Sequence, residues 1–242
     1  MRNFKTGASG DGTGNSLMEI PYERQLESPT RRTCGAAALC MAYRSLGIRQ
    51  SQDMIWEQIS QADASGRRVA RTYLLARNAL HHGLAALVLR AQPSRDAFTR
   101  WLDAGVRIIL NHRLQADAPW GHYSVLVATE PAAVTVHDPQ LGPDRRLAWP
   151  ELLALWEPLP GGSEIGGRIL VAVARRHAGA PLAAGCSSCG TALPREVTCP
   201  RCRSRIPLEP QAVLGCAAAA CLQRTWETLF CPYCDLACTT LP

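Results

Sequence analysis

Apolar residues run almost unbroken from Ala36 to Leu46 and stop at Gly47. That pattern predicts a helix buried on most sides with a glycine just past its end. Met54, Ile55, Ile59 and Ala62 fall at helical spacing and predict a second helix over 51–61. A third is expected over 70–82, ending at Gly83, followed by a strand from Leu84 to Leu89. Ser94 is placed to cap a helix through Leu102, and Val106 to Leu110 then reads as a strand. Beyond it, Tyr123 to Ala128 and Val134 to His137 flank a turn containing Glu130-Pro131, the signature of an antiparallel hairpin. Trp149 to Trp156 fits one short helix and Arg168 to Ala174 a last strand. Helices first and antiparallel strands later is an α+β arrangement.

The cysteines divide the chain. Nine of the eleven lie after residue 185, and an Ala/Gly/Pro-rich stretch from Arg175 to Gly185 precedes them. The expected organisation is a disordered tail over 1–19, a domain over 20–174, a linker over 175–185 and a metal-binding segment over 186–242. At 242 residues there is room for one full domain and a small one. With 47% apolar and 19% charged residues, no apolar run long enough to span a bilayer, and a polar glycine-rich start, a soluble cytoplasmic protein is expected. The net charge of +6 is too diffuse to name a partner: residues 178–242 hold five arginines and four acids, and bound thiolates would add negative charge. Basic residues interleaved with aromatics are lacking there, so nucleic acid is not the expected partner.

Candidate chemistry sits in two separated stretches. Cys34 opens the first apolar helix, where the helix N-terminus and a nearby imidazolium would stabilise a thiolate. Gly35 lets backbone come close to a substrate, and the N–H groups of this turn can receive a developing oxyanion. His122 starts one strand of the hairpin and Asp138 ends its partner, so antiparallel pairing brings the two together as base and orienter. His81, His82, His112 and His137 are weaker candidates because none is paired across the hairpin to an acid. Cys40 is expected to be core.

The strings TCGAAALCMAYRSLG, GHYSVLVA and VTVHDP resemble the bacteriocin-processing, double-glycine peptidases of the papain-like cysteine peptidase clan. The likeness covers roughly residues 20 to 174, with ARTYLLARNALHHGLAAL and WPELLALWEPL similar to the family's intervening helix and late aromatic segment. It implies a papain-like fold with Cys34 as nucleophile, His122 as general base, Asp138 as its orienter and Gln25 as the oxyanion-hole side chain. Thr33 stands where the family often has aspartate. The resemblance also implies cleavage after a glycine pair in a leader peptide. A papain-like acyl transferase or deconjugase, and an inactive peptide-binding module, are the alternatives that the same residues allow.

After residue 185, Cys186-x-x-Cys189 and Cys199-x-x-Cys202 leave nine residues between the pairs, and Cys216-x4-Cys221 and Cys231-x-x-Cys234 leave nine again. The last three cysteines of each set recur at an interval of 32 residues, so two modules stand in tandem. Paired cysteine turns suit two structural tetrahedral zinc ions, and the spacing favours zinc over an iron–sulfur cluster. The repeated nine-residue gap favours one ion within each repeat over ligand sets that interleave. The segment resembles a bacterial double zinc ribbon, expected to recruit substrate or a protein partner. Cys238 is left over, and His177 falls in the linker.

Overall fold

The computed structural model describes residues 19–27, 32–92, 94–160, 164–176 and 185–238. Residues 1–18 of the expected tail, His177 and most of the expected linker lie outside the described residues. Five α-helices, α1 (Cys34–Ser45), α2 (Gln52–Ile59), α3 (Thr72–His81), α4 (Arg95–Asp103) and α5 (Trp149–Trp156), surround an eight-stranded antiparallel sheet. The strands in chain order are β1 (Ser60–Ala62), β2 (Arg68–Ala70), β3 (Ala85–Ala91), β4 (Arg107–Arg113), β5 (Gly121–Thr129), β6 (Ala133–Asp138), β7 (Gly142–Ala148), β8 (Ile169–Ala174), β9 (Glu196–Thr198), β10 (Arg205–Pro207), β11 (Trp226–Phe230) and β12 (Ala237–Cys238). The large sheet runs β12-β11-β3-β8-β4-β5-β6-β7, while β1–β2 and β9–β10 are separate hairpins.

Both faces of the central strands are covered, which is why β8 reads as a continuous apolar run and every residue of β4 is buried. Ile109, Val171, Val173 and Val125 point to a core shared with α1, α2 and α3. Their neighbours Ile108, Leu110, Leu170, Ala172 and Leu126 point to a second core with Phe98 and Trp101 of α4 and Trp156 of α5. Eleven of the twelve residues of α1 are buried, so it is the central helix that its composition predicted. It ends at Leu46, where the N–H groups of Gly47 and Ile48 turn back onto Arg44 and Tyr43, and Gly47 takes φ +77°. That left-handed turn is the reason for glycine there. Ser51 and Ser94 each accept a bond from the N–H three residues on, capping α2 and α4.

Two features depart from the expected outline. The polar strand β7, GPDRRLA, pairs with β6 and forms one sheet edge; its mostly exposed side chains left no periodic signal. More consequentially, β11 from the cysteine-rich segment pairs antiparallel with β3, matching Leu229 with Leu89 and Phe230 with Val88. Trp226, Leu229, Ile206 and Val213 then enter the second core. The sheet therefore runs without a break into the metal-binding segment.

Candidate active site and candidate metal centres

The start of α1 brings Cys34 against β5, and the β5–β6 hairpin brings His122 to Asp138, as the separated motifs predicted. His122 Nε2 donates to Asp138 Oδ1 at 2.9 Å, and on its other side the imidazole interacts with the Cys34 sulfur. Tyr123 N–H points at the same sulfur. Burial alone pushes the Cys34 thiol up, but the charge of His122, its hydrogen bond and the Tyr123 N–H outweigh it and hold the thiol below its ordinary value. Burial likewise disfavours a charged His122, yet the Cys34 thiolate and the Asp138 bond push the imidazole up to about 9. The arrangement favours an ion pair of thiolate and imidazolium.

Asp138 is fully buried and kept ionised by four donors. Its Oδ1 takes the N–H groups of Gln140 and Leu141, each at 2.9 Å, besides His122, and its Oδ2 takes Arg145 Nη1 at 2.9 Å. Burial raises its pKa, but these bonds overcome that penalty and hold the carboxyl well below the usual range. Arg145 lies on the polar strand β7 and nothing in its sequence context singled it out. Behind His122 lies His112, with ring centroids 5.5 Å apart and planes nearly perpendicular. Its Nδ1–H donates to Arg113 O at 2.7 Å, and Nε2 takes the Ser124 hydroxyl at 2.9 Å. Burial, reinforced by the charge of His122, lowers His112 to about 4, so a neutral ring backs the charged one.

The other expected site residues sort as follows. Gln25 lies on the loop before α1, and its N–H donates to Pro139 O at 2.9 Å, tying that loop to the residue after Asp138. It is not among the residues lining the cleft at Cys34. Thr33 donates to Leu26 O at 3.0 Å and caps none of the first N–H groups of α1. Gly35 is needed less for access than for packing: a Cβ there would sit 3.2 Å from both Ala70 Cβ and the Tyr123 ring. Cys40 is buried and held up to about 12 by that burial, aided by the charge of Glu23, as befits a core residue. His137 is structural, with Nε2–H on Ile20 O at 2.8 Å and Nδ1 accepting the Asp144 N–H at 3.1 Å. His82 packs edge-on against Tyr43.

A cleft of about 350 Å³ opens beside Cys34. One wall comes from Val69 and Ala70 of β2 and the start of α3, where Thr72 Oγ1 and Tyr123 Oη lie 2.8 Å apart. At its rim Glu164 accepts from Arg32 at 2.8 Å, Arg67 at 3.1 Å and Gly121 N–H at 3.0 Å. Cys34 itself is only 4% exposed.

The eight cysteines fall into two groups, but not by repeat. Cys186, Cys189, Cys216 and Cys221 form one group and Cys199, Cys202, Cys231 and Cys234 the other, with all sulfurs of a group within 4.8 Å. The expected one-ion-per-repeat ligation is therefore wrong, and the sets interleave. The cysteine turns at 186–189 and 199–202 lie on either side of β9, which holds them apart. Each instead meets its counterpart in the other repeat. Facing sulfurs stand 3.5 to 3.7 Å apart, too far for a disulfide. Tetrahedral ligation at about 2.3 Å per bond requires sulfurs about 3.8 Å apart, so the donor set fits a four-thiolate metal ion. Backbone N–H groups of Ala218 and Tyr233 point at the Cys216 and Cys231 sulfurs. Cys238 lies outside both groups; burial pushes its thiol up to about 11, with the Cys199 charge adding to it.

No protein-family model matches this chain, and no curated protein matches it. Solved structures do. A Bacillus anthracis protein described as a C39-like peptidase superposes with a TM-score of 0.52 at 14% identity, over 66% of this chain and 96% of that one. The peptidase domain of Streptococcus ComA, a bifunctional ABC transporter of a quorum-sensing pathway, gives a TM-score of 0.47 at 15% identity, covering 65% of this chain and all of that one. A double-glycine motif protease from an AMS/PCAT transporter, in complex with the leader peptide, gives 0.44 at 15%, covering 65% and 91%. Among the described residues no helix is long and apolar enough to cross a membrane. The larger part of the chain thus has the fold of a C39-like peptidase domain, and it is followed by two four-cysteine groups that fit a tandem zinc ribbon.

Proposed function

We propose that this protein is a cytoplasmic cysteine peptidase that hydrolyses peptide bonds through Cys34, His122 and Asp138. The observation that carries the reading is the buried chain from the Cys34 sulfur through the His122 imidazole to Asp138 Oδ1 at 2.9 Å. The Cys34 thiolate attacks the scissile carbonyl, and the oxyanion forms at the N-terminus of α1, with Gln25 as the side-chain donor. His122 gives its proton to the leaving amine. It then takes one from the water that resolves the thioester, while Asp138 keeps Nε2 engaged throughout. Cleavage after a glycine pair in a leader peptide accords with the crowding of Gly35, Ala70 and Tyr123 at a nearly covered sulfur, which leaves little room for side chains next to the scissile bond.

The two four-cysteine groups are taken to hold zinc, with Cys186, Cys189, Cys216 and Cys221 on one ion and Cys199, Cys202, Cys231 and Cys234 on the other. Zinc in a closed thiolate shell supplies structure and no reaction step. The ribbons offer a docking surface for substrate or a protein partner.

The deciding experiment is iodoacetamide labelling mapped by peptide. Cys34 is expected to react on the order of a hundredfold faster than Cys40 at neutral pH, because a thiolate is the reactive form. Its rate should already be high well below the ordinary thiol pKa, and His122→Ala should move that onset upward. Equally slow labelling of both cysteines, indifferent to His122, would sink the proposal. Gln25→Ala is expected to lower kcat by about 10²-fold while leaving Cys34 labelling unchanged, since an oxyanion donor acts after thiolate formation. Full turnover in that variant would remove Gln25 from the site.

A further inference from the structure

The floor of the cleft can be followed strand by strand. Tyr123 on β5 pairs with Asn111 on β4, Asn111 with Ile169 on β8, Ile169 with Arg90 on β3, and Phe230 on β11 with Val88 on β3. Directly paired residues share a face, as do residues two apart on one strand. Tyr123, Asn111, Ile169, Val88 and Phe230 thus form one row beneath the cleft, and all five line it. The row begins beside the Cys34 sulfur and ends in the metal-binding segment. Phe230 immediately precedes the ligand Cys231. Asp235, which immediately follows Cys234, also lines the cleft, from its exposed rim.

This last strand is firmly set. Arg168 Nη1 and Nη2 reach the two oxygens of Glu227 at 2.6 and 3.2 Å, joining the start of β8 to β11. The Arg90 guanidinium lies 5.9 Å from the centre of the Phe230 ring and is itself held by Gly166 O at 2.9 Å. Glu164 and Asp63 at the rim are engaged by Arg32 and Arg67 within 3.4 Å, and the Asp235 carboxylate lies in the field of Arg71 and Arg201.

We infer that the metal-binding segment builds the far end of the substrate cleft, where Phe230 selects an apolar side chain of the peptide about six residues from the scissile bond. The inference rests on the peptidase reading above. The distance follows from the sheet: four strand spacings of about 4.8 Å separate β5 from β11, roughly 19 Å, and an extended peptide covers about 3.3 Å per residue. An apolar side chain there meets Phe230, Val88 and Ile169.

Digestion of a proteome-derived peptide library by the full-length protein, with cleavage sites read by mass spectrometry, tests this. Wild type is expected to enrich Leu, Ile, Met and Phe at five to seven residues from the cut on one side. Phe230→Ala should reduce the apolar enrichment by about tenfold, while iodoacetamide labelling of Cys34 stays within about twofold of wild type and so reports an intact catalytic end. Phe230→Gln keeps a side chain of similar reach at this strand position and should lose the apolar preference as Phe230→Ala does. Should Phe230→Ala fail to fold, Phe230→Gln decides alone. Unchanged profiles in the folded variants, or no selection at that distance in wild type, would overturn the inference and leave the peptidase reading standing. Rapid Cys34 labelling without cleavage of any peptide would overturn both.

Discussion

Turnover of any accepted peptide is expected to fall by about 10⁶-fold in Cys34→Ala and by no more than about 10²- to 10⁴-fold in Asp138→Asn. In the proposed reaction no other group replaces the sulfur that carries the acyl intermediate. Asparagine can still accept from His122 Nε2, but three donors converge on Oδ1: His122, Gln140 N–H and Leu141 N–H. The amide NH₂ is thereby forced against Arg145, which now stands 2.9 Å from Oδ2 and has nothing to accept with.

The pH profile should change with it. His122 is held up to about 9, after the penalty of burial, by the Cys34 charge and by the bond and charge of Asp138, so loss of the Asp138 charge should move the alkaline fall of kcat/KM to lower pH. The sign for stability is opposite. The folded pKa of Asp138 lies below the ordinary carboxyl value, so its contribution is present above that value and is lost as pH falls toward the folded one. Asp138→Asn should therefore flatten the acid side of the stability curve. Steady-state rates across pH, paired with urea titrations, check both directions. A fully active Asp138→Asn would remove the residue from the catalytic chain.

The legible part of this protein is the part where one residue type does one job. The alanine-rich run after Cys34 could only be a buried helix, and Trp149 to Trp156 matches α5 residue for residue. His122 and Asp138 were readable because a hairpin fixes which residues face each other. Arg145, Glu164 and the neutral His112 were not, since each acts through a partner distant in sequence and lies in an unremarkable setting. The cysteines marked the metal-binding segment sharply, and their 32-residue repeat is real. What the spacing could not convey is that like pairs with like across the repeats, because that depends on where β9 and β11 hold the turns. Nor could composition disclose that Trp226 to Phe230 would continue the sheet. A five-residue strand acquires its meaning from the edge it covers, and here that edge is β3.

Removing metal should consequently do more than unfold a separate appendage. Intact protein is expected to carry two zinc ions, one per four-cysteine group, by elemental analysis. Ribbons this small bury too little to fold without metal, so chelation should release the chain from 186 to 238 to proteolysis. With it goes β11, and the paired edge of β3 becomes open. Trp226 and Leu229 leave the second core, uncovering Leu87, Leu89 and Ala91. An exposed apolar edge of this kind favours association, so the metal-free protein should aggregate although its Cys34 still labels rapidly. That labelling should persist because Cys34, His122 and Asp138 sit on α1, β5 and β6, at the other end of the sheet from β11. The two groups should also differ. Cys199 and Cys231 are fully buried in the second core beside β11, whereas Cys186 and Cys189 lie at the outer end and are partly or fully exposed. Cys231→Ser is therefore expected to expose β3 and cause aggregation, and Cys186→Ser to loosen only the outer turn. Limited proteolysis, light scattering and Cys34 labelling on the two variants and on chelated wild type separate these outcomes. A metal-free protein whose 186–238 segment resists protease would show that the ribbons fold without metal, and loss of Cys34 labelling on chelation would show that the catalytic unit and the ribbons stand or fall together.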